Sequence, residues 1–164
     1  MKDGNKHEGL VKIPGFSDKN VKFKTAEPDK AQAVKSKEIR RLIFKDKEEP
    51  LEMEYLNCMM KEAIIAAVGW GWVTVVTRGA VSTYTGKKPP VAGQRYVNNE
   101  DITYCHREGE KHAIHPPILG FATTMAKYFE DYPELSSKIK NKADGYQREN
   151  INAIVAEYNE WKGN

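Results

Sequence analysis

At 164 residues, with hydrophobic side chains at 40% and charged ones at 30%, the chain has the composition of one globular domain, far from the polar, highly charged make-up of disordered segments. Its 26 basic and 23 acidic residues leave a net charge of +3, mostly balanced along the chain and too small to argue for nucleic acid. The longest apolar stretch, residues 63–68 running into Gly69, Trp70, Gly71 and Trp72, is far short of the ~20 residues that cross a bilayer, so no membrane span is expected.

Over residues 4–44 apolar side chains recur at every second position: Val11 and Ile13 around Lys12, then Val21 and Phe23 beside Lys22 and Lys24. That period predicts half-buried strands with lysines on the wet face. Pro14-Gly15 and Glu27-Pro28-Asp29 supply turn chemistry between them, giving a meander. Leu42 and Phe44 continue the alternation, as do Leu51, Met53 and Tyr55 between glutamates. Residues 59–68 have good helix propensity without a long amphipathic pattern, which predicts a short helix or a loop. Residues 72–84 are dense in β-branched side chains and read as long β structure, bent or bulged near Gly79. A surface loop over 86–93 follows, then strands at 95–97 and 102–107.

The period changes at Pro116-Pro117. Phe121, Met125, Tyr128, Phe129 and Tyr132 fall on one helical stripe,. Asp131, Pro133 and Glu134 read as a cap, a helix-compatible proline and a first-turn acid opening a second helix that carries Leu135 and Ile139. A final helix from about Arg148 places Ile151, Ile154, Val155 and Tyr158 on one side. The expected fold is therefore α+β: a twisted antiparallel β-sheet or small open barrel over 1–115, with about three C-terminal α-helices over 116–164 packed on it in a single domain.

The cluster with metal-ligating chemistry is Cys105, His106, His112 and His115, because imidazole and thiolate are common zinc and copper ligands. A hairpin with Glu108, Gly109, Glu110 and Lys111 at its tip would pair Cys105 with Ile114 and Tyr104 with His115. His106 and His115 then share one face while Cys105 and His112 take the other. Four ligands are excluded in that register, leaving His106 and His115 as the candidate metal pair, with solvent-exposed hairpin histidines as the plain alternative. The serines lack the glycine frame of a nucleophile elbow, neither cysteine has the sequence signature of an activated thiol, and the glycines do not space into a phosphate loop. No cofactor is implied. Two cysteines, Cys58 and Cys105, leave pairing and redox compartment open. Trp70, Trp72, Tyr96 and Tyr104 lie in or beside strands, where aromatic rings can stack on a ligand or anchor a partner; core packing is the favoured reading.

Several segments resemble a group of uncharacterised exported proteins of Gram-negative bacteria. They are Asp3-Gly4-Asn5-Lys6-His7-Glu8-Gly9, Val21-Lys22-Phe23-Lys24, Ser36-Lys37-Glu38-Ile39, the stretch from Trp72 through Arg78-Gly79-Ala80-Val81-Ser82-Thr83-Tyr84, and the C-terminal Tyr128-Phe129-Glu130-Asp131-Tyr132-Pro133-Glu134-Leu135 and Ile154-Val155-Ala156-Glu157-Tyr158-Asn159. The resemblance implies a leader peptide and export to the periplasm or cell surface. The N-terminus shows no apolar leader core, so Met1 either follows a removed leader or starts a cytoplasmic protein. Where similar proteins often carry cysteine before Pro-Glu-Leu, this chain has Tyr132. The resemblance brings no activity, cofactor or catalytic residue. The leading expectation is a non-catalytic exported module that binds an unidentified protein or envelope partner; a metal-assisted hydrolytic enzyme using His106 and His115, and a weak nucleic-acid-binding β domain, are the alternatives.

Overall fold

The computed structural model describes residues 4–25, 30–62, 65–91 and 100–163. Among the described residues nine strands precede three α-helices, an α+β arrangement with the change of character at Pro116-Pro117. Strands β1 (Leu10–Val11), β2 (Asn20–Lys24) and β3 (Gln32–Lys35) form a small antiparallel sheet, joined by the 3-10 turn Ser36–Glu38 to β4 (Leu42–Phe44). Alternation on β2 works as the period predicts: Val21 is buried and Lys22 exposed.

The main body is a closed barrel of five strands: β5 (Leu51–Lys61), β6 (Ala66–Thr77), β7 (Val81–Lys87), β8 (Asp101–Arg107) and β9 (Ala113–Ile114). Each strand runs antiparallel to the one before it, so with an odd number the last must run parallel to the first. That is the closure found, with Cys58 opposite Ala113 and Met59 opposite Ile114, extended by the N–H of His115 donating to the Met59 carbonyl at 2.8 Å. The β8–β9 hairpin pairs Cys105 with Ile114, the register expected from the sequence.

Three segments differ from expectation. Within residues 59–68, expected as a short helix or loop, residues 59–61 belong to β5 and residues 66–68 to β6, with Met59 opposite Val68 and Met60 opposite Ala67. Pairing on both sides of β5 overrides a weak helical preference, because tertiary contacts outweigh the few tenths of a kcal/mol that separate such propensities. The β structure over 72–84 is two strands and not one bent strand: the chain reverses at residues 78–80, and the irregularity sits between Val75 and Thr77. Asp131 does not cap the second helix, whose N-cap position is Tyr132 without a side-chain hydrogen bond. The expected strand at 95–97 lies outside the described residues.

Period-2 alternation divides the barrel strands between three cores. Cys58, Met60, Val73, Tyr84 and Tyr104 point inward and fill the barrel. Met53, Tyr55 and Trp72 point outward against Val21, Ile39 and Phe44 of the N-terminal lobe. On a different outer face Val81 and Cys105 receive α1 (Phe121–Tyr128), α2 (Pro133–Lys140) and α3 (Ile151–Gly163) through Met125, Phe129, Leu135, Ile139, Ile154 and Tyr158. The loop before β2 is fastened to the barrel where the Trp72 N–H donates to the Phe16 carbonyl at 2.9 Å. Gly71 makes this approach possible, since a Cβ there would collide with the Phe16 ring.

Candidate functional site

The N-terminal lobe and β4 enclose a groove of about 470 Å³, within the ~300–1,000 Å³ range of ligand pockets. Its lining has two patterns. Val21, Phe23 and Val34 contribute at alternate positions, so β2 and β3 offer a side-chain face as the floor. Residues 6–11 and 41–46 contribute without skipping any position. A strand that showed a cavity only one face would contribute every second residue, so β1 and β4 border the groove with their edges. Leu10 at 51% and Ile43 at 52% exposure stand on these two walls.

The rim is charged, with Lys6, Glu8, Arg41, Lys45 and Asp46 on it. Glu8 takes Lys6 at 2.9 Å and Lys45 at 3.2 Å, and hydrogen bonds from these two ammonium groups hold its carboxyl below the usual range. His7 meets Phe23 edge-on at 6.5 Å. The whole-chain charge balance conceals an asymmetry here: residues 1–47 carry 13 of the 26 basic side chains but 7 of the 23 acidic ones. The groove thus lies in a distinctly basic lobe attached to a mildly acidic body.

Arg41 links the groove to one mouth of the barrel. Its Nε lies 2.6 Å from Glu52, while Arg78 bridges Glu52 at 2.5 Å and Glu54 at 2.7 Å. The Tyr84 hydroxyl donates to Glu54 at 2.9 Å; burial first, then the Glu54 charge, push this phenol up to about 12. Two carboxylates are thereby matched by two guanidinium groups and a phenol. The network carries no unmatched acid or base.

The residues singled out in the sequence are dispersed. Trp72 is buried beneath the N-terminal lobe, its Nε1 donating to Ser36 Oγ at 3.1 Å. Tyr104 is buried inside the barrel and donates to the Lys87 carbonyl at 2.7 Å. Trp70 is exposed, stacked on Tyr55 at 5.6 Å with the Lys37 ammonium 4.9 Å above its ring. Tyr96 lies outside the described residues. His106 bonds the Glu110 carbonyl at 3.1 Å and meets Tyr84 edge-on. His115 is buried, its Nδ1 on the Thr103 carbonyl at 2.8 Å and its Nε2 3.2 Å from Arg148. The two histidines therefore have separate partners, and among the described residues no three His, Cys, Asp or Glu side chains gather as a metal-binding group.

Cys58 and Cys105 are free and fully buried. They point to opposite sides of the barrel wall, one into the interior and one toward the helices, which keeps them apart. Burial pushes both thiols up to about 12, so neither presents a nucleophilic thiolate.

No protein-family model matches the chain, and neither a curated protein nor a solved structure matches it. The groove residues escaped the sequence analysis because Val21, Phe23 and Val34 carry the same alternation as ordinary core positions. The signal that was available is the concentration of lysine and arginine before residue 48.

Proposed function

We propose that the protein is a non-catalytic binding module whose ligand seats in the groove between β1 and β4. The carrying observation is that groove's construction: an apolar floor, two exposed aliphatic side chains on its walls, and a rim on which Glu8 is paired with Lys6 and Lys45. Paired rim charges orient and select a ligand but are poorly placed to exchange protons with it, which favours binding over catalysis. Export to the periplasm or cell surface is part of the proposal, supported by the resemblance of the sequence segments to exported proteins.

The test uses the full chain and an environment-sensitive dye, anilinonaphthalene sulfonate. Its fluorescence should rise on wild-type protein and fall to background on Ile43→Asp, a change at a half-exposed position that should leave the circular dichroism intact. Equal dye binding by the folded variant would remove the groove as the site. Recovery of the native protein from the cytoplasmic fraction of its cells would remove export and leave the binding reading standing.

A further inference from the structure

The barrel closes on itself through β5 and β9, so within that sheet β4 is the strand with a single neighbour among the described residues. Among the described residues β1 likewise has β2 alone beside it. Both open edges border the same groove, as the uninterrupted lining by residues 6–11 and 41–46 requires. A strand edge is a row of main-chain donors and acceptors. A compact apolar molecule would cover the floor and leave those groups unmatched; an extended polypeptide satisfies both, pairing along the edge while alternate side chains reach the floor.

Resting on the binding reading above, we infer that the occupant of the groove is an extended peptide segment added as a strand to the open edge of β4. Its inward-facing side chains are apolar, matching Val21, Phe23 and Val34. Its flanks are acidic, matching the excess of basic residues in the lobe. β4 is three residues long, Leu42–Phe44, or about 10 Å at the usual rise per strand residue, so the paired part of the bound segment is roughly three residues and a heptapeptide spans it with flanks on both sides.

The experiment pans a phage-displayed library of random heptapeptides on the full chain, with folded Ile43→Asp and Leu10→Asp proteins as counter-selections. Enriched sequences should alternate apolar residues and end in Asp or Glu. A synthetic copy should lose about tenfold in affinity when alternate backbone nitrogens are methylated, as expected for deleted main-chain hydrogen bonds. Failure to enrich any peptide over the two variants overturns strand addition, as does a methylated copy that binds undiminished at every position tested. If dye binding is still lost in Ile43→Asp in either case, the groove reading survives and its ligand is a small molecule. Concentration-dependent dimerisation abolished by Ile43→Asp, without peptide binding, would identify a second copy of the chain as the occupant and overturn the inference. Salt-sensitive binding of a single-stranded oligonucleotide, unchanged in both variants, with no peptide enriched, would overturn it in favour of nucleic acid.

Discussion

Asn159 on α3 presents both ends of its side-chain amide to Val81 at the start of β7: Oδ1 accepts from the Val81 N–H and Nδ2 donates to the Val81 carbonyl, each at 2.8 Å. One side chain thus imitates the neighbouring strand that β7 lacks at this point, and it fastens the last helix to the barrel. Gly79 in the turn leaves room for it, since a Cβ there would collide with the Asn159 amide. Replacing Asn159 by Leu strands two main-chain groups. Thermal or urea denaturation should show a loss of about 2–4 kcal/mol, since each unmatched buried group costs roughly 1–3 kcal/mol. A loss under about 0.5 kcal/mol, the scale of ordinary surface changes, would mean that the helix is held by apolar contact alone. Gly79→Ala should act in the same direction by displacing the amide.

Arg107 on β8 is the second fastening. Its guanidinium lies 4.7 Å from the Tyr128 ring and 4.8 Å from the Tyr158 ring, and it donates to the Tyr128 carbonyl at 2.5 Å and to Asp131 at 3.1 Å. Lysine keeps the charge but loses the planar fork and the stacking. Arg107→Lys should therefore cost about 1–2 kcal/mol, the range of a partly desolvated cation–π contact, and an unchanged melting temperature would contradict this account.

Asp131, the partner of Arg107, also accepts the Tyr158 hydroxyl at 2.5 Å. Partial burial alone would raise its carboxyl, but the Tyr158 hydrogen bond and the Arg107 charge outweigh it and hold the group below its usual 3.8. A carboxylate depressed on folding stabilises the native state above its unfolded value, and that contribution disappears as pH falls through the folded one. Acid unfolding of Asp131→Asn should accordingly be flatter below pH 3.8 than that of the wild type, and parallel acid limbs would refute the assignment.

His115 gives the opposite group type the same direction of pH dependence. Burial lowers its value below 6.5, opposed by the Thr103 carbonyl and reinforced by Arg148, with Glu62 and Lys88 adding smaller and opposite effects. The native state holds the ring neutral, the Nδ1–H donating to Thr103 and Nε2 facing Arg148. The unfolded chain protonates first, so stability is full above pH 6.5 and declines as pH falls from there toward the lower folded value,. Denaturant titrations between about pH 5 and 8 should show this decline in the wild type and a smaller one in His115→Gln. Equal declines would place the effect elsewhere.

Cys58 and Cys105, each at 0% exposure, should give no reaction with a disulfide-exchange reagent in the native protein. Unfolding in guanidinium should release two equivalents, the full cysteine content. Rapid reaction of the folded chain would contradict the placement of both side chains.

Local spacing by itself determined a good deal: strands before Pro116-Pro117, helices after it, the lysine-facing alternation of β2, and the pairing of Cys105 with Ile114. These follow from periods of two and of three to four residues, which a chain displays before it folds. Residues 59–61 and 66–68 look helical in isolation because their strand state comes from the pairing of β5 with β6 and, at Met59, with β9, information no local window contains. The division of equivalent inward and outward apolar residues among three cores was hidden for the same reason. The groove was further from view, since its walls are backbone edges of two strands about thirty residues apart in the chain, and an unpaired edge has no residue signature. Only tertiary structure decides which strand is left with one open edge, because barrel closure is a property of the whole set of strands and of no single one.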